Sequence, residues 1–205
     1  MSIEIQIFEI VILIFSAVIH EYMHGWAANQ MGDSTAKDAG RLTLNPIPHI
    51  DPIGSVLMPA LMILGNFGFV FGWAKPVPFN PYNLRDQKWG PAKVAVAGPL
   101  GNLITALFFG LALRFIPSLN PIFSLMLGLI VYINLLLMVF NLVPIPPLDG
   151  SKVILPLLPY NWQEKFYQLE QYGFIIVVVF IYFGFSLLLP IINFLFQLIT
   201  GQKLF

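Results

Sequence analysis

The sequence predicts an all-α integral membrane protein: a bundle of about four to five transmembrane helices with a possible re-entrant segment and short edge strands. Of its 205 residues, 58% are hydrophobic and only 10% are charged, whereas a soluble domain has about 25% charged residues. The mean hydropathy is +0.81. Several apolar stretches approach the length of about 20 residues that a helix needs to span a bilayer. These three observations place the chain in a membrane.

Apolar stretches define the predicted elements in chain order. They cover residues 5–28, 53–71, 92–114, 122–143 and the region from 173 onwards. The second stretch is interrupted by Pro59, Gly65 and Gly68, which makes it the natural candidate for a segment that enters the bilayer without crossing it. The last stretch contains Pro190, which should kink or end the helix.

Two polar segments rich in proline and glycine, residues 32–54 and 72–90, separate the first three stretches. Their prolines favour extended backbone without N–H donors, so we expect loops or edge strands there. The residues RLTL, 41–44, are the best candidate for a short strand. There is no internal repeat or linker, so residues 1–205 are expected to form a single domain. Its core covers about residues 5–151, and a C-terminal helix region covers about residues 170–200.

The charge and cysteine content excludes several classes of function. The formal net charge is zero, so neither nucleic acid nor a strongly acidic partner is indicated. The chain has no cysteine, which excludes disulfides and thiolate zinc sites but leaves histidine and carboxylate ligands open.

The pentapeptide HEYMH, residues 20–24, interrupts the first apolar stretch. On a helix, His20 and His24 lie on one face one turn apart, where both imidazoles can bind one metal ion. Glu21 is rotated by about 100° from that face, where it can act as a general base toward water at the metal. Two hydrogen-bonded core histidines beside a paired glutamate are the alternative. Three ionisable groups deep in a membrane helix favour a functional site.

A catalytic zinc usually has three protein ligands and an open position. His49, Asp51 and Asp149 are the candidates for the third ligand. Asp51 precedes a proline and suits a turn, and Asp149 precedes Gly150, which is also typical of a turn. However, Asp149 ends the proline-rich segment PIPPLDG. At about 3.1 Å per residue, that segment could return the carboxylate by roughly 19 Å toward the metal.

Five segments together resemble the site-2 protease family of intramembrane zinc metalloproteases, in particular its small prokaryotic members. The segments are HEYMH, GRLTLNPIPHIDPIG, GWAKPVPFNP, AGPLGN and NLVPIPPLDG, and they span about residues 10–151. The resemblance implies that His20, His24 and Asp149 bind one zinc per chain and that Glu21 is the base. It also implies hydrolysis of peptide bonds in membrane-protein substrates, as in regulated intramembrane proteolysis, in the cell membrane of a prokaryote. Nothing resembles the PDZ or CBS domains of larger relatives, so regulation through such modules is not expected.

Two amides in the third and fourth apolar stretches are further candidates. Asn102 and Asn141 could donate to the oxyanion of the tetrahedral intermediate or hold the substrate backbone. Alternatively, each could form the interhelical hydrogen bond that is common for asparagine in membrane helices.

Charge and geometry together predict the topology. His24 lies toward the end of the first stretch and Asp149 follows the fourth, so both helices must run in the same direction. If residues 53–71 do not cross, eight Lys and Arg residues lie on one side and two on the other. This asymmetry predicts an outside N-terminus and a metal site nearer the cytoplasmic face.

Two other classes of function compete with the protease. A metal transporter or sensor would need ionisable residues along several helices, and the later stretches contain almost none. A catalytically silent relative that only binds membrane proteins would not need Glu21, which is present.

Overall fold

The computed structural model describes residues 3–65, 72–116 and 119–203, and no β-strand occurs among them. The α-helices in this part of the chain are α1 (Ile3–Gln30), α2 (Thr35–Asp38), α3 (Met58–Leu64), α4 (Gly90–Phe115), α5 (Pro121–Asn141), α6 (Asp149–Ile154), α7 (Tyr160–Glu170), α8 (Gly173–Phe183) and α9 (Leu189–Thr200). The predicted all-α membrane fold is therefore confirmed.

Three helices, α1, α4 and α5, are long and apolar enough to cross a membrane. By length and composition, α7 and α8, which are bent by 86° from each other, would give a fourth candidate among the described residues if they were counted as one span. Local sequence explains where α5 begins. The Asn120 side chain caps α5 by accepting the Ile122 N–H at 2.9 Å, and Pro121 occupies the first turn, where its missing donor costs nothing.

The three long helices share one bundle with two distinct ends. The near end contains Gln30, Gly90 and Asn141, and the far end contains Ile3, Phe115 and Pro121. Side-chain contacts establish this arrangement. Ser16 of α1 contacts Asn134 of α5, while residues from the first turns of both helices line one shallow cavity. Helices α1 and α5 therefore run in the same direction, as the prediction from the metal site requires. Helix α4 runs in the opposite direction, because His20 contacts Asn102 whereas His24 contacts Val94.

The C-terminal apolar region connects the same two ends. A Cβ atom on Gly173, where α8 begins, would lie 2.8 Å from Pro147 Cδ at the near end. In the last turn of α9, Leu198 O accepts a hydrogen bond from Arg114 at the far end, at 2.8 Å. The helix is interrupted at Gly184–Leu188, and Pro190 lies in the first turn of α9. The interruption thus precedes Pro190, because a proline is tolerated in a first turn.

A buried apolar cluster holds α9 against α4 and α5. Its members are Ala106, Val131, Leu135, Met138, Val139, Leu188, Ile192, Phe196 and Ile199. Gly110 permits this contact, because a Cβ atom at that position would lie 2.4 Å from Ile199 Cγ2.

The predicted strand at residues 41–44 is wrong. These residues form bends and irregular chain, and the prolines around them remove the N–H donors that a ladder would need. Side chains provide the connections instead. Arg41 Nη2 donates to Lys75 O at 2.8 Å, and Lys75 N donates to His49 O at 2.8 Å.

The interrupted second stretch starts beside the residue that follows it. It begins as a π-helical segment, Pro52–Leu57, which continues into α3. Trp73 N donates to Gly54 O at 3.1 Å, and Ser55 Oγ donates to Trp73 O at 2.9 Å. Residues 66–71 lie outside the described residues. The start of the stretch and Trp73 are thus side by side.

Asp33, just after α1, anchors the segment that leads from Trp73 into α4. Its carboxylate accepts hydrogen bonds from Asn80 N at 2.6 Å and Asn83 Nδ2 at 2.9 Å. Burial acts to raise the pKa of this carboxyl, but the bonds from Thr35, Asn83 and Asn80 outweigh it and hold the pKa below its ordinary value. The loop beside the near end is therefore fixed to the end of α1.

Candidate metal centre

Two imidazoles and one carboxylate converge at the near end of the bundle. His20 Nε2 lies 3.0 Å and His24 Nε2 lies 3.1 Å from the same oxygen of Asp149, Oδ2. The two rings are nearly perpendicular, with centroids 4.6 Å apart. His20 is 6% exposed and Asp149 is 9% exposed, so the group is largely withdrawn from solvent.

The remaining ring nitrogens of both histidines face acceptors. His20 Nδ1 lies 2.6 Å from Asn102 Oδ1, and His24 Nδ1 lies 2.7 Å from the backbone oxygen of Val94. Because an amide oxygen and a carbonyl oxygen can only accept, each Nδ1 must carry the proton and donate. Each Nε2 then keeps its lone pair for a metal, which is the usual arrangement of zinc-binding histidines.

Asn102 belongs to a buried polar network that joins three helices. Its Nδ2 donates to Ser16 O and to Asn134 Oδ1, both at 3.0 Å. Asn134 Nδ2 in turn donates to Ser16 Oγ at 2.9 Å. Asn102 and Asn134 are both 0% exposed. These hydrogen bonds fix the Asn102 side chain, which in turn orients the His20 ring.

Asn134 and Ser16 were not among the residues predicted from the sequence. Asn134 is a lone amide in the apolar run LGLIVYINLLLMVF, and the cost of an unpaired amide in a membrane was the signal that could have identified it. The predicted role of Asn102 toward substrate stays a prediction, and the structure shows its amide in contact with His20. Asn141 donates to Leu137 O of its own helix at 2.9 Å, and its role also stays a prediction.

Glu21 is held beside the imidazoles by a backbone amide from the loop before α4. Its Oε2 accepts the Val77 N–H at 2.8 Å. Two further contacts fix the same loop, one from Arg41 to Lys75 O and one from Lys75 N to His49 O. Glu21, the candidate base, therefore lies next to the chain segment around Val77.

Asp149 reaches the histidines by a compact path. The sequence suggested an extended return of roughly 19 Å, at about 3.1 Å per residue, but residues 142–148 form turns instead. Leu148 N donates to Ile145 O at 2.8 Å. A Cβ atom on Gly150 would lie 2.2 Å from Leu142 O. The chain therefore folds directly back onto the end of α5, and only glycine fits beside it.

The two imidazoles stabilise the ionised form of Asp149. Burial acts to raise the pKa of this carboxyl, but hydrogen bonds from Nε2 of His20 and His24 in their protonated forms outweigh it and hold the pKa well below its ordinary value. A bound metal would take the place of those Nε2 protons. Asp149 is therefore a carboxylate at neutral pH, as a metal ligand must be.

The alternative third ligands lie elsewhere. His49 is 2% exposed, and its Nε2 contacts Thr43 O at 2.9 Å. Asp51 caps the following helical segment by accepting the N–H groups of Ile53 and Gly54. Among the described residues, only His20, His24 and Asp149 form a group that could hold a metal ion.

The three side chains suit zinc. Their candidate ligand atoms all lie within 4.8 Å of one another. The distances of 3.0 and 3.1 Å from Asp149 Oδ2 to the two Nε2 atoms are close to the spacing of about 3.3 Å between two ligands of one tetrahedral zinc. Two imidazoles and one carboxylate are also a known donor set of catalytic zinc sites.

Gly98 of α4 allows the helices to approach the metal centre. A Cβ atom at this position would lie 2.4 Å from His24 Nε2 and 2.7 Å from His20 Nε2. We expect Gly98→Ala to displace both rings and to lower the zinc content of purified protein several-fold, as measured by atomic emission.

Gly110→Ala is the matched control for this prediction. Its added Cβ would be equally crowded, 2.4 Å from Ile199 Cγ2, but it lies far from the histidines. It should lower the thermal stability and leave about one zinc bound per chain, the stoichiometry expected of a single three-ligand site. Equal zinc content in both variants would contradict the proposed position of the metal.

Relatives of the chain carry names that agree with this chemistry. YwhC of Bacillus subtilis (strain 168) is 40% identical over 182 residues, which cover 83% of this chain and 78% of YwhC. Rip2 of Mycolicibacterium smegmatis (strain ATCC 700084 / mc(2)155) is 33% identical over 172 residues, which cover 81% of this chain and 63% of Rip2. MJ0611 of Methanocaldococcus jannaschii is 40% identical over 96 residues, which cover 45% of this chain and 49% of MJ0611. All three are named as zinc metalloproteases.

No protein-family model and no solved structure matches the chain. The identity to YwhC extends over most of both chains, and the names of the relatives agree with the histidine and aspartate cluster. On these grounds the chain belongs to the family of zinc metalloproteases that includes YwhC.

Proposed function

We propose that the protein is an intramembrane zinc endopeptidase of the site-2 protease type and that residues 1–205 form its single domain. The observation that carries the proposal is the convergence of His20, His24 and Asp149, with Glu21 beside them, within a bundle of apolar helices. We propose His20, His24 and Asp149 as the zinc ligands and Glu21 as the general base.

The residues have separable tasks in peptide hydrolysis. Held by His20, His24 and Asp149, zinc would supply Lewis acidity toward a water molecule and the scissile carbonyl. Glu21 takes the proton from the attacking water and returns it to the nitrogen of the leaving amine. The Val77 N–H holds Oε2 of this carboxylate, so Oε1 is the oxygen that we propose for the proton. Asn102 and Val94 keep the two imidazoles oriented.

A substrate helix must unwind before water can attack, because helical carbonyls are occupied by hydrogen bonds. The extended segment around Lys75 lies next to Glu21. Three backbone N–H groups of this segment point to one side. They belong to Trp73, Lys75 and Val77, and they donate to Gly54 O, His49 O and the Glu21 carboxylate respectively. Alternate residues of an extended chain face opposite sides, so Ala74 lies on the other edge. We propose that unwound substrate pairs with that edge.

The distribution of basic residues orients the bundle. The near end carries Lys37, Arg41, Lys75, Arg85, Lys88, Lys93, Lys152 and Lys165, and the far end carries Arg114 and Lys203. Loops rich in lysine and arginine stay in the cytoplasm. We therefore propose that the protein lies in the cell membrane of a prokaryote, with the metal centre nearer the cytoplasmic face.

Single cysteines test this topology, because the native chain has none. Cysteines at Asp38 and Arg85 should react with an impermeant thiol reagent only from the cytoplasmic side, since Gly54 and Trp73 lie side by side. A cysteine at Leu119 should react only from the outside. Labelling of Asp38 and Arg85 from opposite sides would show that residues 53–71 cross the membrane.

The function is tested in cells by replacing Glu21 with glutamine and comparing the membrane proteomes. If the protein cleaves membrane proteins, intact substrates should accumulate and their fragments should disappear in the variant. An unchanged membrane proteome, with changes confined to soluble proteins, would argue against intramembrane cleavage.

A further inference from the structure

Helix α7 (Tyr160–Glu170) has no buried residue. Its hydrogen bond from Gln163 Nε2 to Leu158 O, at 2.8 Å, is to the chain immediately before it. The helix carries several aromatic side chains, of which Tyr160 is 78% exposed and Tyr167 is 62% exposed. Gln163, Phe166, Tyr167 and Glu170 line a cavity together with near-end residues such as Phe79. Trp162 and Leu169 do not line that cavity, so they need another surface.

The direction of α7 follows from the helix that comes next. Helix α8 begins against Pro147 at the near end, and the chain returns through α9 to Arg114 at the far end. The region from α8 to α9 therefore runs along the bundle. Because α7 is bent by 86° from α8, α7 lies across the bundle axis, parallel to the plane of the membrane.

The side chains of α7 divide into two faces. Trp162, Phe166 and Leu169 follow the spacing of one helix face, and Trp162 and Leu169 are 54% and 44% exposed. Glu164 and Gln168 lie on the opposite face. Amphipathic helices with aromatic residues at the bilayer boundary lie in that plane, with the apolar face buried by about 5–10 Å.

We propose that α7 is an interfacial helix, with Trp162 and Leu169 inserted at the boundary between lipid headgroups and acyl chains on the metal-centre side. The occupant of this face is the bilayer, because α7 joins the apolar helix α8 through only Gln171 and Tyr172. The helix carries Glu164, Glu170 and Lys165, so it lacks the basic excess that attracts anionic lipids. Zwitterionic lipid is therefore sufficient.

An interfacial α7 cannot also be half of a bent span with α8. The fourth crossing is instead α8 with α9. The interfacial helix fixes the depth of the near end, and with it the depth of the metal centre below the lipid surface. A loss of peptidase activity would not test it, whereas the position of α7 relative to lipid does.

The experiment uses the full chain with one environment-sensitive fluorophore, attached at a single cysteine, in phosphatidylcholine nanodiscs that hold one copy each. The apolar-face variants are Trp162→Cys and Leu169→Cys, and the polar-face variants are Glu164→Cys and Gln168→Cys. Phe108→Cys, on the lipid-exposed side of α4, is the deep control, and Asp38→Cys is the aqueous control. Zinc content verifies that each variant is folded.

We expect shallow spin-labelled lipids to quench the apolar-face labels several-fold more than deep ones do. Aqueous iodide should quench the polar-face labels as strongly as the label at Asp38. Deep quenching at all positions would show that α7 crosses the bilayer, and iodide quenching at all positions would show that it stays in water. Protection that appears only when a disc holds two copies would assign the face to a second copy. Any of these three results would overturn the proposal.

Discussion

Asp149→Ala is expected to reduce zinc affinity by at least about 100-fold, because even the outer partners of zinc ligands are worth 10–100-fold. Asp149 supplies the one oxygen that lies 3.0 Å and 3.1 Å from the two imidazoles, so its removal leaves two ligands on one helix. Proteolytic turnover should fall with the zinc content. Competition with a chromophoric chelator measures the affinity directly.

Controls for this prediction come from the other carboxylate and imidazole considered as third ligands. Asp51→Asn and His49→Ala should retain zinc, since His49 contacts Thr43 O and Asp51 caps a helix. Asp149→Asn, which preserves the shape of the side chain, should show the same zinc loss if Asp149→Ala does not fold. Full zinc in both Asp149 variants, together with zinc loss in His49→Ala, would mean that the third ligand was assigned wrongly.

Glu21→Gln is expected to lower turnover by about 10²–10⁴-fold, the usual contribution of a positioned general base, while zinc content and thermal stability stay unchanged. The amide has nearly the same shape and can still accept the Val77 N–H, but it cannot take a proton from water. Single-turnover cleavage of a reconstituted substrate measures the loss.

Glu9→Gln is the matched control, because it makes the same chemical change on the same helix, α1, nearer its far end. Its turnover should equal that of the unmodified protein. Should Glu21→Gln retain substantial activity, the base must be another group, and the contact with Val77 would have only a structural role.

Much of the fold was predictable because its signals are local. Apolar runs of sufficient length identified α1, α4 and α5, and the spacing of His20 and His24 on a helix placed both rings on one face. The requirement that Asp149 meet them gave the parallel direction of α1 and α5 without any structural information. These inferences depend only on helix geometry and on the cost of buried polar groups.

The remaining features depend on contacts between distant parts of the chain. The bond from Asn134 to Ser16 joins residues 118 positions apart, and Val77 is 56 positions from Glu21, so no periodicity reveals either pair. Residues 41–44 do not form the expected strand, because the Arg41 side chain, and not a ladder of backbone hydrogen bonds, connects this segment to Lys75. Similarly, the compact path to Asp149 depends on Gly150 fitting against Leu142 O, which spacing alone does not show.

Intramembrane proteolysis is tested most directly by incubating the protein in proteoliposomes with designed single-span peptides that have about 20 apolar residues. Mass spectrometry of the fragments locates the cut bond in peptides with and without a central helix-breaking Asn-Pro pair. We predict cuts inside the apolar segment, faster with the Asn-Pro pair, abolished by chelation, restored by zinc and absent in Glu21→Gln. Cleavage confined to soluble peptides, or cleavage that survives chelation or the loss of Glu21, would contradict the account.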